Sequence, residues 1–242
     1  MMSLQNLLMA GRVLALMTFF IGSQTMAQDA EGFSGRAGLG FLATSGNSES
    51  KNGNGNFDLW WNYEPWSHSL NGVAIRSSSS GVTTADATGI GWKSRYALNE
   101  SDYLFGLLAW DKDEFSAYEQ QLREAVGYGR HILNTEKHLL SGEIGIGARQ
   151  SDLRDGTSQS GTIYYLGGEY RWTISESSVF TQSIAVERGS DNTYFESNTA
   201  LSAKVRSNLA LVLSFTAKNN SDVLPNTEKT DTFTAVSLEY TF

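Results

Sequence analysis

Alternate residues are apolar in one segment after another from Phe33 to the carboxyl terminus, and a period of two belongs to strands, not to amphipathic helices. Phe57, Leu59, Trp61 and Tyr63 lie opposite Asp58, Trp60 and Asn62, and Leu209, Leu211, Leu213 and Phe215 lie opposite Ala210, Ser214 and Thr216. About twelve segments follow this rule, near 33–44, 52–63, 66–77, 84–98, 102–113, 119–132, 138–150, 160–174, 178–190, 193–206, 208–218 and 230–242. Two are irregular: Tyr103 to Trp110 is apolar on both faces, and Glu124 shares a face with Leu122, Val126 and Tyr128. A transmembrane helix needs about 20 apolar residues, and no such run follows residue 21. Any crossing of a membrane must therefore use strands. The 24 glycines against 2 prolines, with 28 aromatic side chains (6 Trp, 10 Tyr, 12 Phe), suit many strands joined by turns.

The connections narrow the choice further. Those after even-numbered segments are short, such as Glu64-Pro65, Asn99-Glu100-Ser101, 133–137, Ser175-Glu176-Ser177 and Ser207. Those after odd-numbered segments are mostly longer and polar: 45–51, 78–83, 114–118, 151–159, 189–191 and 219–229. A bacterial membrane barrel has an even number of strands, short periplasmic turns and longer extracellular loops. A soluble sandwich has no reason to keep turn lengths in step. The expected fold is an all-β, antiparallel transmembrane β-barrel of about 12 strands in the cell outer membrane.

Arg12, the apolar stretch Val13 to Ile21, and Thr25 and Ala27 at a -3/-1 spacing read as a signal peptide over 1–27, leaving 28–242 for the barrel. Its apolar core is too short to span about 30 Å of hydrocarbon. With no cysteine, there is no disulfide and no thiolate metal site. Arg12 is the only charge removed with the signal, so the mature balance is 17 minus 26, a net charge of -9. That argues against nucleic acid, which requires clustered Lys and Arg.

Tyr63, Trp66, Tyr96, Trp172 and Tyr240 fall beside short turns, where an aromatic girdle sits in a membrane barrel. The last segment alternates to the terminus, and by likeness to other outer-membrane barrels Tyr240 and Phe242 form a signal read by the insertion machinery. The opposite face carries the charges. Arg36, Lys93, Arg95, Arg123, Arg149, Arg171, Lys204 and Arg206 point inward with Asp58, Glu143, Glu169, Glu187 and Glu239. At the lipid midplane one Arg or Lys would cost about 2–4 kcal/mol. In a lumen, opposite signs pair across strands, and mixed signs favour a lumen partly closed by ion pairs over a wide single-sign pore.

The stretch LATSGNSES at 42–50 after a Gly-rich first strand, Trp110-Asp111-Lys112-Asp113, Gly127-Tyr128-Gly129 and the closing VSLEYTF at 236–242 resemble the DUF481 family, also described as salt-induced outer-membrane proteins. The resemblance covers essentially the mature chain, and Thr44 to Asn47 is its most specific element. It implies an outer-membrane barrel associated with osmotic conditions and brings no established reaction or ligand. From the residues alone, TSGN is a polar start to a loop, with Gly46 and Asn47 suited to a tight turn.

Some outer-membrane barrels are hydrolases, so catalytic groups need a search. His68, His131 and His138 all lie beside short turns, at the wrong end for substrates reached from outside. Ser67 and Ser69 flank His68, but strand neighbours point to opposite faces. Asp111, Asp113, Glu114, Asp152 and Asp155 supply hard oxygens for a weak Ca²⁺ or Mg²⁺ site, in competition with Lys112 and Arg154. Gly38-x-Gly40 and Gly145-x-Gly147 precede no helix and carry no phosphate-binding meaning. No catalytic, cofactor or metal residue is assigned. The expected function is a non-enzymatic outer-membrane barrel, either a narrow or gated solute channel or an envelope protein. An outer-membrane hydrolase and a soluble periplasmic barrel holding a lipophilic ligand remain alternatives. Oligomeric state is not legible.

Overall fold

A computed structural model describes residues 31–44, 50–116, 118–223 and 228–242. The signal segment and Ser45-Gly46-Asn47 lie outside the described residues. The rest forms twelve antiparallel strands: β1 Gly32–Thr44, β2 Ser50–Tyr63, β3 Trp66–Ser79, β4 Val82–Ala97, β5 Asp102–Asp113, β6 Tyr118–Asn134, β7 His138–Leu153, β8 Ser158–Ser175, β9 Ser178–Arg188, β10 Thr193–Arg206, β11 Leu209–Asn220 and β12 Thr230–Thr241. Each strand pairs with its neighbours in sequence, and β12 returns to β1, so the sheet closes into a barrel.

Closure at the seam is short. Register runs from Arg36 opposite Thr241 to Leu39 opposite Leu238. Phe242 adds one more pair, its N–H and C=O each bonding Gly35 at 2.9 Å. The terminal aromatic thus helps to close the barrel as well as ending it.

The two faces divide as the alternation predicts, with the polarity of a soluble barrel inverted. Outward positions hold Leu104, Leu108, Ile144, Ile146, Leu166, Leu211 and Leu213, all exposed, while Leu39 and Phe41 reach 76% and 77% exposure. Inward positions hold the buried Arg, Lys, Asp, Glu, Asn, Ser and Thr side chains. A soluble barrel enclosing a lipophilic ligand requires the reverse arrangement.

Tyr103 to Trp110 is apolar on both faces because one face fills the lumen. Tyr103, Phe105 and Ala109 are buried with Ala125, Tyr165 and Ala185, while Leu104 and Leu108 point out. Gly129 makes room for this packing: a Cβ there would overlap the Tyr103 ring. Glu124 stands on the outward face, as expected.

At the end opposite the short turns, strands extend further than the polar stretches suggest. Only Ser80 and Gly81 join β3 to β4, with φ of 49° and 78°, as a two-residue hairpin with twist-matched geometry requires. β11 ends at Asn220 and β12 begins at Thr230, a wider separation at the same end.

Candidate functional site in the lumen

The inward-facing charges gather in three clusters. In the first, β4 supplies Lys93 and Arg95, β7 supplies Glu143 and β8 supplies Glu169. Lys93 Nζ donates to Glu143 Oε2 at 2.6 Å, and Arg95 Nη2 donates to Glu143 Oε1 at 3.1 Å and to Glu169 Oε1 at 3.0 Å. The hydroxyls of Tyr103 and Tyr165 donate to Glu143 at 3.0 and 3.3 Å. Lys93 Nζ lies 5.5 Å from the Phe105 ring centre and the Arg95 guanidinium 5.3 Å from that of Tyr103. Strands β4 and β7 are not neighbours in the sheet. These bonds therefore span the lumen instead of running along one ladder.

The second cluster joins β5, β6, β7 and β9. Arg123 donates to Asp111 Oδ2 at 2.6 Å and to Glu187 Oε1 at 3.0 Å, with its guanidinium 5.3 Å from the Tyr194 ring centre. Arg149 pairs with Glu187 Oε2 at 3.6 Å and donates to the Asn192 carbonyl at 3.0 Å. Next to it the Tyr194 hydroxyl donates to Glu196, which pairs with Lys218 at 3.8 Å. The third cluster lies at the seam: Arg36 Nε bonds Asp58 Oδ2 at 2.7 Å, and its Nη1 lies 3.4 Å from Glu239 Oε2. A Cβ at Gly38 would overlap the Asn56 amide, and Asn56 in turn donates to Glu239 at 3.3 Å.

Glu187 is 1% exposed and Asp58 2%, so the inward face is largely closed to solvent. Charges so far from water persist only when paired and hydrogen-bonded. A small cavity lined by Asp111, Asp113, Tyr194, Lys218 and Asp231 lies toward the longer-loop end. A roomier one, lined by Arg95, His131, Glu169 and Arg171, lies toward the short-turn end. The first two clusters stand between them.

Eleven of the thirteen expected lumen charges are on this inner face: Arg36, Asp58, Lys93, Arg95, Arg123, Glu143, Arg149, Glu169, Arg171, Glu187 and Glu239. Lys204 and Arg206 are exposed at the rim near the end of β10. Lys204 keeps the inward parity, opposite Ala210, which itself lies opposite Glu239. A register shift between them sets Arg206 opposite Leu209, a member of the outward series, so its parity is reversed. Asp111, Glu196 and Lys218 were missed. Glu196 and Lys218 follow by parity from Asn198 and Thr216, and Asp111 follows from Tyr103, Phe105 and Ala109 within the same segment 102–113.

The histidines belong mostly to the aromatic girdle. His68 shares a 2.6 Å hydrogen bond with Ser94 Oγ and stacks on Trp66; its partner is the cross-strand serine, not Ser67 or Ser69. His138 shares one of 2.8 Å with the Tyr170 hydroxyl and stacks on Trp172. His131 packs against the Tyr103 ring. Among the described residues, no group of three or more His, Asp or Glu side chains is arranged to hold a metal ion. Asp113 accepts from the N–H groups of Phe115 and Ser116, and Asp152 from Gln120. In the turn at 154–157, hydrogen bonds from Thr157 hold the Asp155 carboxyl below its ordinary value.

A family described as "Protein of unknown function, DUF481" has a model that matches residues 37–242. The uncharacterized protein YdiY of Escherichia coli (strain K12) is 31% identical over 209 residues, covering 86% of this chain and 82% of that protein. Among solved structures, the translocator domain of the autotransporter NalP from Neisseria meningitidis superposes with a TM-score of 0.52 at 12% identity, covering 88% of this chain and 90% of that one. The NanC porin gives a TM-score of 0.48 at 7% identity, covering 86% and 97%. At such identities the likeness to solved structures speaks to fold alone.

Proposed function

The chain belongs to the DUF481 family of proteins of unknown function, and we propose that it is a non-enzymatic outer-membrane barrel whose lumen is a narrow solute conduit, held shut at rest by crossed ion pairs. Hydrocarbon offers no partner to backbone N–H and C=O groups, so only a helix or a closed barrel crosses it. An apolar outer face with Tyr63, Trp66, Tyr96, Trp172 and Tyr240 exposed near one rim suits that setting. The expected signal segment and the closing Tyr240-Thr241-Phe242 fit delivery through the barrel-insertion machinery.

The observation that carries the reading is the set of bonds from Lys93 and Arg95 across to Glu143 and Glu169. A wide pore leaves inward charges solvated, and a purely structural barrel can be filled with apolar side chains. Here acids and bases meet across the lumen between two polar vestibules, which suits a constriction that rearranges. The test is swelling of vesicles loaded with impermeant polymer and diluted into small sugars or amino acids. Slow swelling with wild type and faster swelling with Glu143→Gln are expected. Fast swelling with wild type, or none with either protein, would remove the closed-conduit reading.

A further inference from the structure

The ladder between β1 and β12 stops while both strands continue. At every other junction among the described residues, the ladder runs to within a residue of the end of one strand. At the seam the last rung is Leu39 opposite Leu238, yet β1 continues to Thr44 and β12 begins at Thr230. Gly35 and Phe242 exchange both backbone bonds, and such pairs alternate along an antiparallel ladder. The next bonding pairs are therefore Ala37 with Tyr240 and Leu39 with Leu238, and Phe41 with Val236 would follow. That rung is not made. A Cβ on Gly40 would instead lie 2.7 Å from the Val236 carbonyl oxygen. Gly40 shares the inward parity of Arg36 and Gly38, so β12 slips to the lumen side of β1 here instead of lying beside it.

Val236 stands four residues from Tyr240 in the aromatic girdle, and a tilted strand crosses the hydrocarbon in about 9–11 residues. The missing rung thus falls at hydrocarbon depth, where backbone groups favour a zipped ladder. The two lips of the seam differ in chemistry. Outside stand Leu39 and Phe41, the most exposed of the large apolar side chains, with Val236 and Leu238. Inside, the half-buried Asn54 amide lies over Gly40, 2.7 Å from the same Cβ position, and bonds no other described residue. Ser237 is the inward residue that the continued register would set opposite Gly40. Just below, Arg36, Asp58 and Glu239 satisfy one another.

We propose that the β1–β12 seam is a lateral portal, which parts between Phe41 and Val236 to pass a molecule with one acyl chain and a neutral, hydrogen-bonding head between bilayer and lumen. The proposal rests on the outer-membrane reading and is independent of conduction along the barrel axis. The chain slides between the four apolar side chains of the outer lip, and the head meets the open Asn54 amide. A charged head would have to break into the Arg36 cluster. An exposed edge can also add a strand from another chain, but the overlap at Gly40 leaves no width for one.

Photolabelling in lipid vesicles tests this, with an octyl glucoside that carries a diazirine on its sugar as the probe. The chain has no cysteine, so Phe41→Cys with Val236→Cys sets a single disulfide across the missing rung. Its Cα reach of about 4.4–6.8 Å is met once the strands zip. Wild type and the reduced variant are expected to carry label on Asn54 and Ser237 as well as on Leu39 and Leu238. The oxidised variant is expected to lose the inner label and keep the outer. A heat-dependent gel shift checks that each protein is folded. Inner label that survives oxidation means entry along the barrel axis and overturns the portal, as does a folded variant that cannot be oxidised. Wild type that inserts yet is labelled only on the outer lip overturns this inference alone. Wild type that never inserts overturns the outer-membrane reading beneath it.

Discussion

Replacing Glu143 by Gln keeps the shape of the side chain at the centre of the first lumen cluster and removes its charge. The carboxylate accepts from Lys93, Arg95, Tyr103 and Tyr165 at 2.6, 3.1, 3.0 and 3.3 Å. Removing one partner of a buried ion pair typically costs about 3–5 kcal/mol, because the charge left behind is uncompensated. Here Glu169 remains, 3.0 Å from Arg95 and 3.5 Å from Lys93, and offsets part of the loss. The expected cost is therefore about 2–3 kcal/mol. With a urea slope of about 2 kcal/mol per molar, the unfolding midpoint falls by about 1 M. Tryptophan fluorescence of protein inserted in vesicles reads this directly. The double variant Lys93→Met, Glu143→Leu removes both charges, leaves Arg95 with Glu169, and is expected within about 1 kcal/mol of wild type. A loss below about 0.5 kcal/mol for Glu143→Gln would mean that water screens the cluster as it screens surface pairs. The idea of a lumen closed by desolvated ion pairs would then fail.

Three further outcomes follow from the same geometry. Gly129→Ala drives a Cβ into the Tyr103 ring and is expected to destabilise by about 1–3 kcal/mol; Gly55→Ala, whose Cβ would meet Leu39 at an ordinary 3.4 Å, is expected within about 0.5 kcal/mol of wild type, and equal effects in urea titrations would refute the packing argument. Leu166→Arg places a charge on the outward face of β8 and is expected to cost about 2–4 kcal/mol in vesicles; a neutral result would show that this face does not meet hydrocarbon. Raising salt from about 0.1 to 1 M shortens the screening length from about 10 to 3 Å but screens buried pairs far less than exposed ones, so vesicle swelling is expected to change little with salt for wild type; a rate that climbs steeply with salt would mean that the pairs are solvated.

Fold and lumen were legible to different depths. Strand number and face came from the alternation, because a one-residue error in register would send every apolar side chain to the wrong face. The charges on β4 and β7 could be assigned inward for the same reason. Parity fails where the register breaks, as Arg206 demonstrates beyond the shift after Lys204. Which acid meets which base was not legible, since Lys93 and Glu143 are 50 residues apart and meet only once the sheet has curled through four strands. Parity places Gly129 on the inward face and Gly55 on the outward one, but that a Cβ at Gly129 would overlap the Tyr103 ring was legible only from the neighbouring side chain. Ser94 as the partner of His68 was hidden likewise: the pairing is a matter of register between β3 and β4.

The most direct test of a barrel closed by its own ion pairs is single-channel recording of refolded wild type and Glu143→Gln in a planar lipid bilayer. Wild type is expected to stay mostly closed with brief, small steps, and Glu143→Gln to open longer at the same voltage. Steady, large steps from wild type, or silence from both proteins once insertion has been verified, would contradict the account.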